Sequence, residues 1–141
     1  MTAITPLHVR LFRVIVPVND LQRAAAFYRE ILGAPGTQVS PGRWYFRCGD
    51  LVLACYDAAA DGDAVQDYRH AEPLYFAVSD ISAMVERCAA VGARFPVEAP
   101  PDVGPLGTPM RRPWGELSFY VEDPFGNMLC FVDAETAFVG E

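Results

Sequence analysis

The chain has 141 residues, 52% of them apolar and 21% charged, which is ordinary globular usage. That length suits one domain, or two small modules sharing a core, because half of it alone would bury too little apolar surface. The formal charge is −7 and all 11 basic residues are arginines that form no basic stripe, which argues against nucleic acid as a partner.

No apolar run approaches the ~20 residues of a membrane span, and Met1-Thr2-Ala3-Ile4-Thr5-Pro6 lacks the charged and long apolar parts of a signal peptide. A cytoplasmic protein without a membrane partner is therefore expected. The acidic balance would steer a cationic ligand, or simply keep the protein in solution. Cys48, Cys55, Cys88 and Cys130 show no metal-site spacing and read as reduced packing residues.

Residues 10–18 read as a strand, dense in β-branched side chains, with Pro17 favouring an edge or bulged position. Asp20 fits a helix N-cap. Leu21, Ala24, Ala25, Tyr28 and Leu32 then form an amphipathic stripe, closed by Gly33. Residues 44–48 and 51–56 form a hairpin around Gly49-Asp50. Residues 57–72 are polar and read as a surface linker.

Residues 74–78 read as the next strand. Asp80 caps a second striped helix (Ile81, Met84, Val85, Cys88) that ends at Gly92. A final hairpin, 115–122 with 128–132, closes around Asp123-Pro124-Phe125-Gly126-Asn127. The caps are 60 positions apart (80 − 20) and the hairpin turns 77 (126 − 49), so the second half carries about 17 extra residues. The proline-dense loop 98–113 accounts for them and reads as a lid or rim over a pocket, or as a dimer-packing loop.

Three segments in order carry a resemblance. They are Val18-Asn19-Asp20-Leu21; Ala26-Phe27-Tyr28-Arg29-Glu30-Ile31-Leu32-Gly33; and Pro113-Trp114-Gly115 through Asp123-Pro124-Phe125-Gly126-Asn127. Together they resemble the vicinal oxygen chelate superfamily, the group of glyoxalase I, extradiol dioxygenases, and fosfomycin- and bleomycin-resistance proteins. The resemblance covers nearly the whole chain. It implies an α+β fold of two tandem βαβββ modules, about 8–57 and 73–134 with a linker 58–72, forming one domain with an open U-shaped, barrel-like sheet and helices outside.

In metal-using members each module supplies His, Gln or Glu ligands from its first and last strands. The corresponding positions here are Arg13, Pro73, Cys130, and Leu53 or Ala54. Arg13 would repel a divalent ion, proline and aliphatic side chains cannot ligate, and one cysteine is not a site. His8 and His70 have the wrong strand parity and read as surface residues. No metal and no cofactor are therefore expected.

The cup that remains is expected to hold a small organic molecule, with a homodimer completing it. Parity turns Leu11, Arg13 and Ile15 toward it, with Tyr75 beside Pro73, and Met128 and Val132 beside Cys130. Trp44, Tyr56, Arg112 and Trp114 are candidate wall or rim residues. Arg13 needs a partner, either Glu116 or Glu122 or an oxygen of the ligand. Two functions are expected: metal-independent sequestration of an aromatic or cationic compound, or a metal-independent isomerase or lyase in which Arg13 stabilises an oxyanion.

Overall fold

Strand, capped helix and hairpin occur twice, as the repeat predicts. The computed structural model describes residues 3, 5, 7–65 and 70–140. The first half runs β1 (Arg13–Pro17), α1 (Leu21–Leu32), β2 (Thr37–Ser40), β3 (Arg43–Cys48) and β4 (Leu51–Tyr56), followed by a 3-10 turn at Ala59–Asp61. The second runs β5 (Leu74–Val78), α2 (Ile81–Ala90), β6 (Met110–Arg111), β7 (Leu117–Glu122) and β8 (Met128–Asp133). Each half makes a four-stranded mixed sheet, ordered β1-β4-β3-β2 and β5-β8-β7-β6, and neither closes into a barrel.

Local chemistry sets the boundaries. Asp20 and Asp80 cap their helices by accepting from Arg23 N at 3.1 Å and Ala83 N at 3.0 Å. Gly33 ends α1 in the left-handed conformation that a side chain disfavours. Pro17 lies on an edge strand, where its missing N–H costs nothing in the ladder. The strand expected from residue 10 begins at Arg13, because residues 10–12 are exposed and only the Phe12 carbonyl joins the sheet, accepting from Val52 N. β2 is short and polar, and its sequence carried no strand signal.

One core joins the halves on the helix-covered faces of both sheets. Val16, Tyr28, Phe46 and Leu53 of the first half pack with Cys88, Phe119, Leu129 and Phe131 of the second. Across the seam the buried Tyr28 hydroxyl donates to Asp123 at 2.6 Å. Asp123 also accepts from Phe125 N, Asn127 N and Asn127 Nδ2, and Asn127 Nδ2 reaches Pro17 O at 2.9 Å. The Asp-Pro-Phe-Gly-Asn turn is thus a structural lock, as are Phe27 and Tyr28, whose rings meet edge to face at 5.0 Å.

The four cysteines are free, three of them buried. Burial pushes the Cys55 and Cys88 thiols up to about 12. An unfolded thiol ionises near ~8.5, so above that pH the unfolded state binds fewer protons and stability falls as pH climbs toward the folded value. Urea midpoints are expected to hold from about pH 7 to 8.5 and to fall steadily above about pH 9, less steeply in Cys88→Ala. A midpoint unchanged at high pH would contradict this burial.

Candidate functional site

The period-two alternation of β1 sends Val16 into the core and Arg13, Ile15 and Pro17 to the open face of the first sheet. The parallel register with β4 sets Ala54 beside Ile15 and Tyr56 beside Pro17. Across β3, Tyr45 faces Ala54 and Arg43 faces Tyr56. This face is the floor of a cavity.

Its wall is the segment after β4. Asp57 N donates to Gly42 O at 2.7 Å. Asp61 accepts from Ser40 Oγ, Gly42 N and Arg43 Nη1 at 2.9, 2.6 and 2.5 Å. Only glycine fits at position 42, where a Cβ would lie 2.2 Å from Asp57 O. Residues 57–65 therefore do more than link the modules, and the polar composition that suggested a plain surface linker hides the Asp61 latch. Residues 66–69 of that stretch lie outside the described residues.

Between wall and floor is a cavity of about 710 Å³, with Ile15, Pro17 and Asn19 on one side and Asp57, Asp63 and Val65 on the other. Arg43 lies 4.4 Å over the Tyr56 ring, and its charge is answered by Asp61 and, at 3.9 Å, by Asp63. Tyr56 donates its hydroxyl to Asp63, and that hydrogen bond pushes the phenol up. Asp63 stays half exposed at the mouth and is, with Asp57, one of the two carboxylates lining the cavity.

The open face of the second sheet is partly covered by its own chain. Loop 98–113 runs along the β7 edge, where Arg94 and Glu122 exchange backbone hydrogen bonds and Tyr120 N donates to Leu106 O at 2.8 Å. Leu106 then packs on Tyr120, Cys130 and Val132, with Met128 and Ala137 at the margin. Arg112 pins this loop from beneath and is 2% exposed. Its N–H groups donate to the carbonyls of Val103, Pro105, Leu106, Thr108 and Ser118 and to Ser118 Oγ. The expected rim cation is instead an internal staple, and the loop is packed down rather than raised as a lid.

The other expected residues divide. Ile15 and Tyr56 line the first cavity, and Tyr75 and Trp114 line a second one in the other module. Trp44 does not face the cup, because β3 turns it with Phe46 toward the core, where its Nε1 donates to Pro35 O at 3.1 Å. Tyr45, overlooked in the sequence, takes the open face instead. Leu11 lies outside β1 and is exposed.

Arg13 is exposed rather than interior, its guanidinium 5.0 Å from the Phe12 ring and 5.2 Å from Tyr45. Neither expected carboxylate partners it: Glu122 pairs with Arg94, while Glu116 accepts from Trp114 Nε1 and Phe138 N. Both His8 and His70 are exposed, with a ring nitrogen of His70 2.7 Å from Ile15 O.

The strand register resolves the positions where a metal would be held. Ala54, beside Ile15, is the counterpart of Cys130, beside Tyr75, while Leu53 belongs to the core. Arg13, Pro73, Ala54 and Cys130 do not fit a divalent ion. The one donor among them is a thiol that burial pushes up to about 11, only partly drawn back by Ser118 and Tyr120, so it is protonated at neutral pH. Among the described residues no cluster of three or more His, Cys, Asp or Glu could hold a metal, and no helix is long and apolar enough to cross a membrane.

Two tandem βαβββ modules around a shared core, each with an open sheet face, define the class of protein. Residues 8–131 match the model of the Glyoxalase/Bleomycin resistance protein/Dioxygenase superfamily, and the chain belongs to that family. No curated protein matches it significantly. Among solved structures it resembles a glyoxalase-related enzyme from Fulvimarina pelagi, 23% identical with TM-score 0.66, over 93% of this chain and 92% of that one. It also resembles lactoylglutathione lyase from Agrobacterium tumefaciens (21%, TM-score 0.63, 92% and 97% covered). A third is the fosfomycin resistance protein FosX from Mesorhizobium loti (17%, TM-score 0.62, 91% and 93% covered). At these identities the likeness is one of fold.

Proposed function

We propose that the protein binds a small organic molecule without a metal, in the first module's cavity, and favours an aromatic or cationic compound. The observation that carries this reading is the cavity of about 710 Å³, with apolar walls and Asp63 at its mouth. Ile15, Pro17 and Val65 supply apolar contact and Tyr56 a ring for stacking. Asp63 supplies a negative charge that Arg43, already bound to Asp61, only partly offsets. The donor set at Arg13, Pro73, Ala54 and Cys130 supports metal independence.

A homodimer in the cytoplasm completes this reading. The exposed apolar side chains of Leu7, Val9, Leu11 and Phe12 suit contact with a second copy. Chain mass by light scattering tests the dimer.

One observation favours a second reading, a metal-independent isomerase or lyase. Arg13 lies on the open face with no ion pair among the described residues, and it could meet an oxyanion of a small carboxylate or carbonyl substrate. A thermal-shift panel of aromatic amines and small carboxylates separates the two. Aromatic amines are expected to raise Tm, with affinity about tenfold weaker in Asp63→Asn, a loss of ~1.4 kcal/mol. Stabilisation only by carboxylates, abolished in Arg13→Ala, would favour the second reading. Stoichiometric zinc, manganese or iron in protein purified without added ions would overturn both.

A further inference from the structure

We propose that the second module carries its own binding site, an aromatic cage for a methylated ammonium group borne by a small molecule, framed by Tyr75, Trp114 and Phe138. These three side chains line one cavity of about 410 Å³ together with Ala77, Glu116 and Val132. The site stands apart from the first module's cavity and shares no lining residue with it.

The fold explains why a second cavity exists. Tyr75 and Ala77 stand on β5 where Ile15 and Pro17 stand on β1, since the 60-residue offset maps each onto the other (75 − 15, 77 − 17). Ala137 and Phe138, in the segment after β8, occupy the place that residues 57–65 hold after β4. The duplicated scaffold therefore repeats the cavity, and divergence has filled the second one with aromatic rings.

Three features select the ligand. First, Tyr75, Trp114 and Phe138 are 55%, 49% and 66% exposed, so three large π faces meet water around one hollow. The face of an aromatic ring is negative and attracts a cation, most favourably one that sheds its water easily. Second, Glu116 holds the frame together: Oε1 accepts from Trp114 Nε1 at 2.9 Å and Oε2 from Phe138 N at 2.8 Å. Both donors are neutral, and among the described residues the carboxylate makes no ion pair.

Third, the remaining lining side chains, Phe76, Ala77, Val132 and Ala137, are apolar. N-methyl groups pack against them and the rings, while the charge they surround is answered by the ring faces and Glu116. Of the two basic side chains in this stretch, Arg111 donates to Gly115 O at 2.6 Å, and Arg112 is buried among the carbonyls of its own loop.

The test sets choline against 3,3-dimethyl-1-butanol, which has the same shape with carbon in place of the charged nitrogen. In the full chain labelled with ¹⁵N, the Trp114 indole signal, assigned through Trp114→Phe, is expected to shift saturably with choline while the Trp44 signal stays put. The neutral analogue is expected to bind at least about tenfold more weakly. Tyr75→Ala is expected to abolish the choline-induced shift of the Trp114 signal, and Glu116→Gln to weaken it by about fivefold or more. Asp63→Asn is expected to leave that shift unchanged, so this site and the first module's cavity can fail separately. Equal binding of the neutral analogue, no Trp114 shift at ~50 mM choline (Kd far above ~1 mM), or full choline binding by Tyr75→Ala would each overturn the proposal.

Discussion

Arg112→Ala is expected to lower the unfolding free energy by about 3–5 kcal/mol, one of the two largest single-residue effects in this chain. A buried cation with no carboxylate partner among the described residues is held entirely by oxygen dipoles: five backbone carbonyls and the Ser118 hydroxyl, with the Tyr120 ring 5.5 Å away. Truncation takes the donor from all of them, and although Leu106 O keeps Tyr120 N, each carbonyl left buried and unpaired costs about 1–3 kcal/mol before water enters.

Lysine is not a substitute, because three donors on a point charge cannot reproduce the fork. The loop has little room to repack, since at Gly107 even a Cβ would lie 2.6 Å from Pro96 O. Urea unfolding measures the loss. A native-state thiol assay reads the local consequence: Cys130, 1% exposed beneath Leu106, becomes reactive when the loop lifts. A variant within about 1 kcal/mol of wild type, with no new reactive thiol, would show that the loop needs no staple.

Asp123→Ala is expected to cost a comparable ~3–5 kcal/mol, whereas Tyr28→Phe costs only ~1–2. The aspartate answers four donors from three residues, among them a tyrosine hydroxyl with no exposed surface, so removing it orphans a buried cluster. The tyrosine is one of those donors. Burial together with the neighbouring Asp123 pushes its phenol well up, which keeps it a donor at neutral pH. In a double-mutant cycle, Tyr28→Phe is expected to add almost nothing in the Asp123→Ala background, a coupling of about 1–2 kcal/mol. Additive losses would mean that the two residues act independently.

What the sequence disclosed and what it hid differ by range. Asp20, Asp80 and Gly33 act on amides and carbonyls within one helical turn, so their spacing announces them. The open-face positions of Ile15, Tyr75 and Cys130 followed from parity within single strands. Trp44 was misplaced because its facing depends on Phe46 meeting α1 and not on its own size.

The residues that shape the first cavity's wall were least legible. Asp61 and Asp63 stand among alanines and glycines that look like plain tether, and they matter only once that segment folds back on Gly42 and Tyr56. Arg112 looked like a surface cation because its partners are carbonyls, which no side-chain pattern records. The cage of Tyr75, Trp114 and Phe138 draws on residues up to 63 positions apart (138 − 75), brought together by the β5–β8 register and the turn beyond it.

The lock between Tyr28 and Asp123 has no twin. The 60-residue offset puts Cys88 where Tyr28 would recur, and aligning Tyr45 with Tyr120 across the matched registers puts Cys48 where Asp123 would. A buried thiol held protonated at Cys88 cannot reach or grip as a phenol and carboxylate do. A doubled architecture needs only one of its two joints fastened by hydrogen bonds. Because both modules share one core, the single joint of Tyr28 and Asp123 fastens the pair, while its counterpart at Cys88 is held by apolar packing alone.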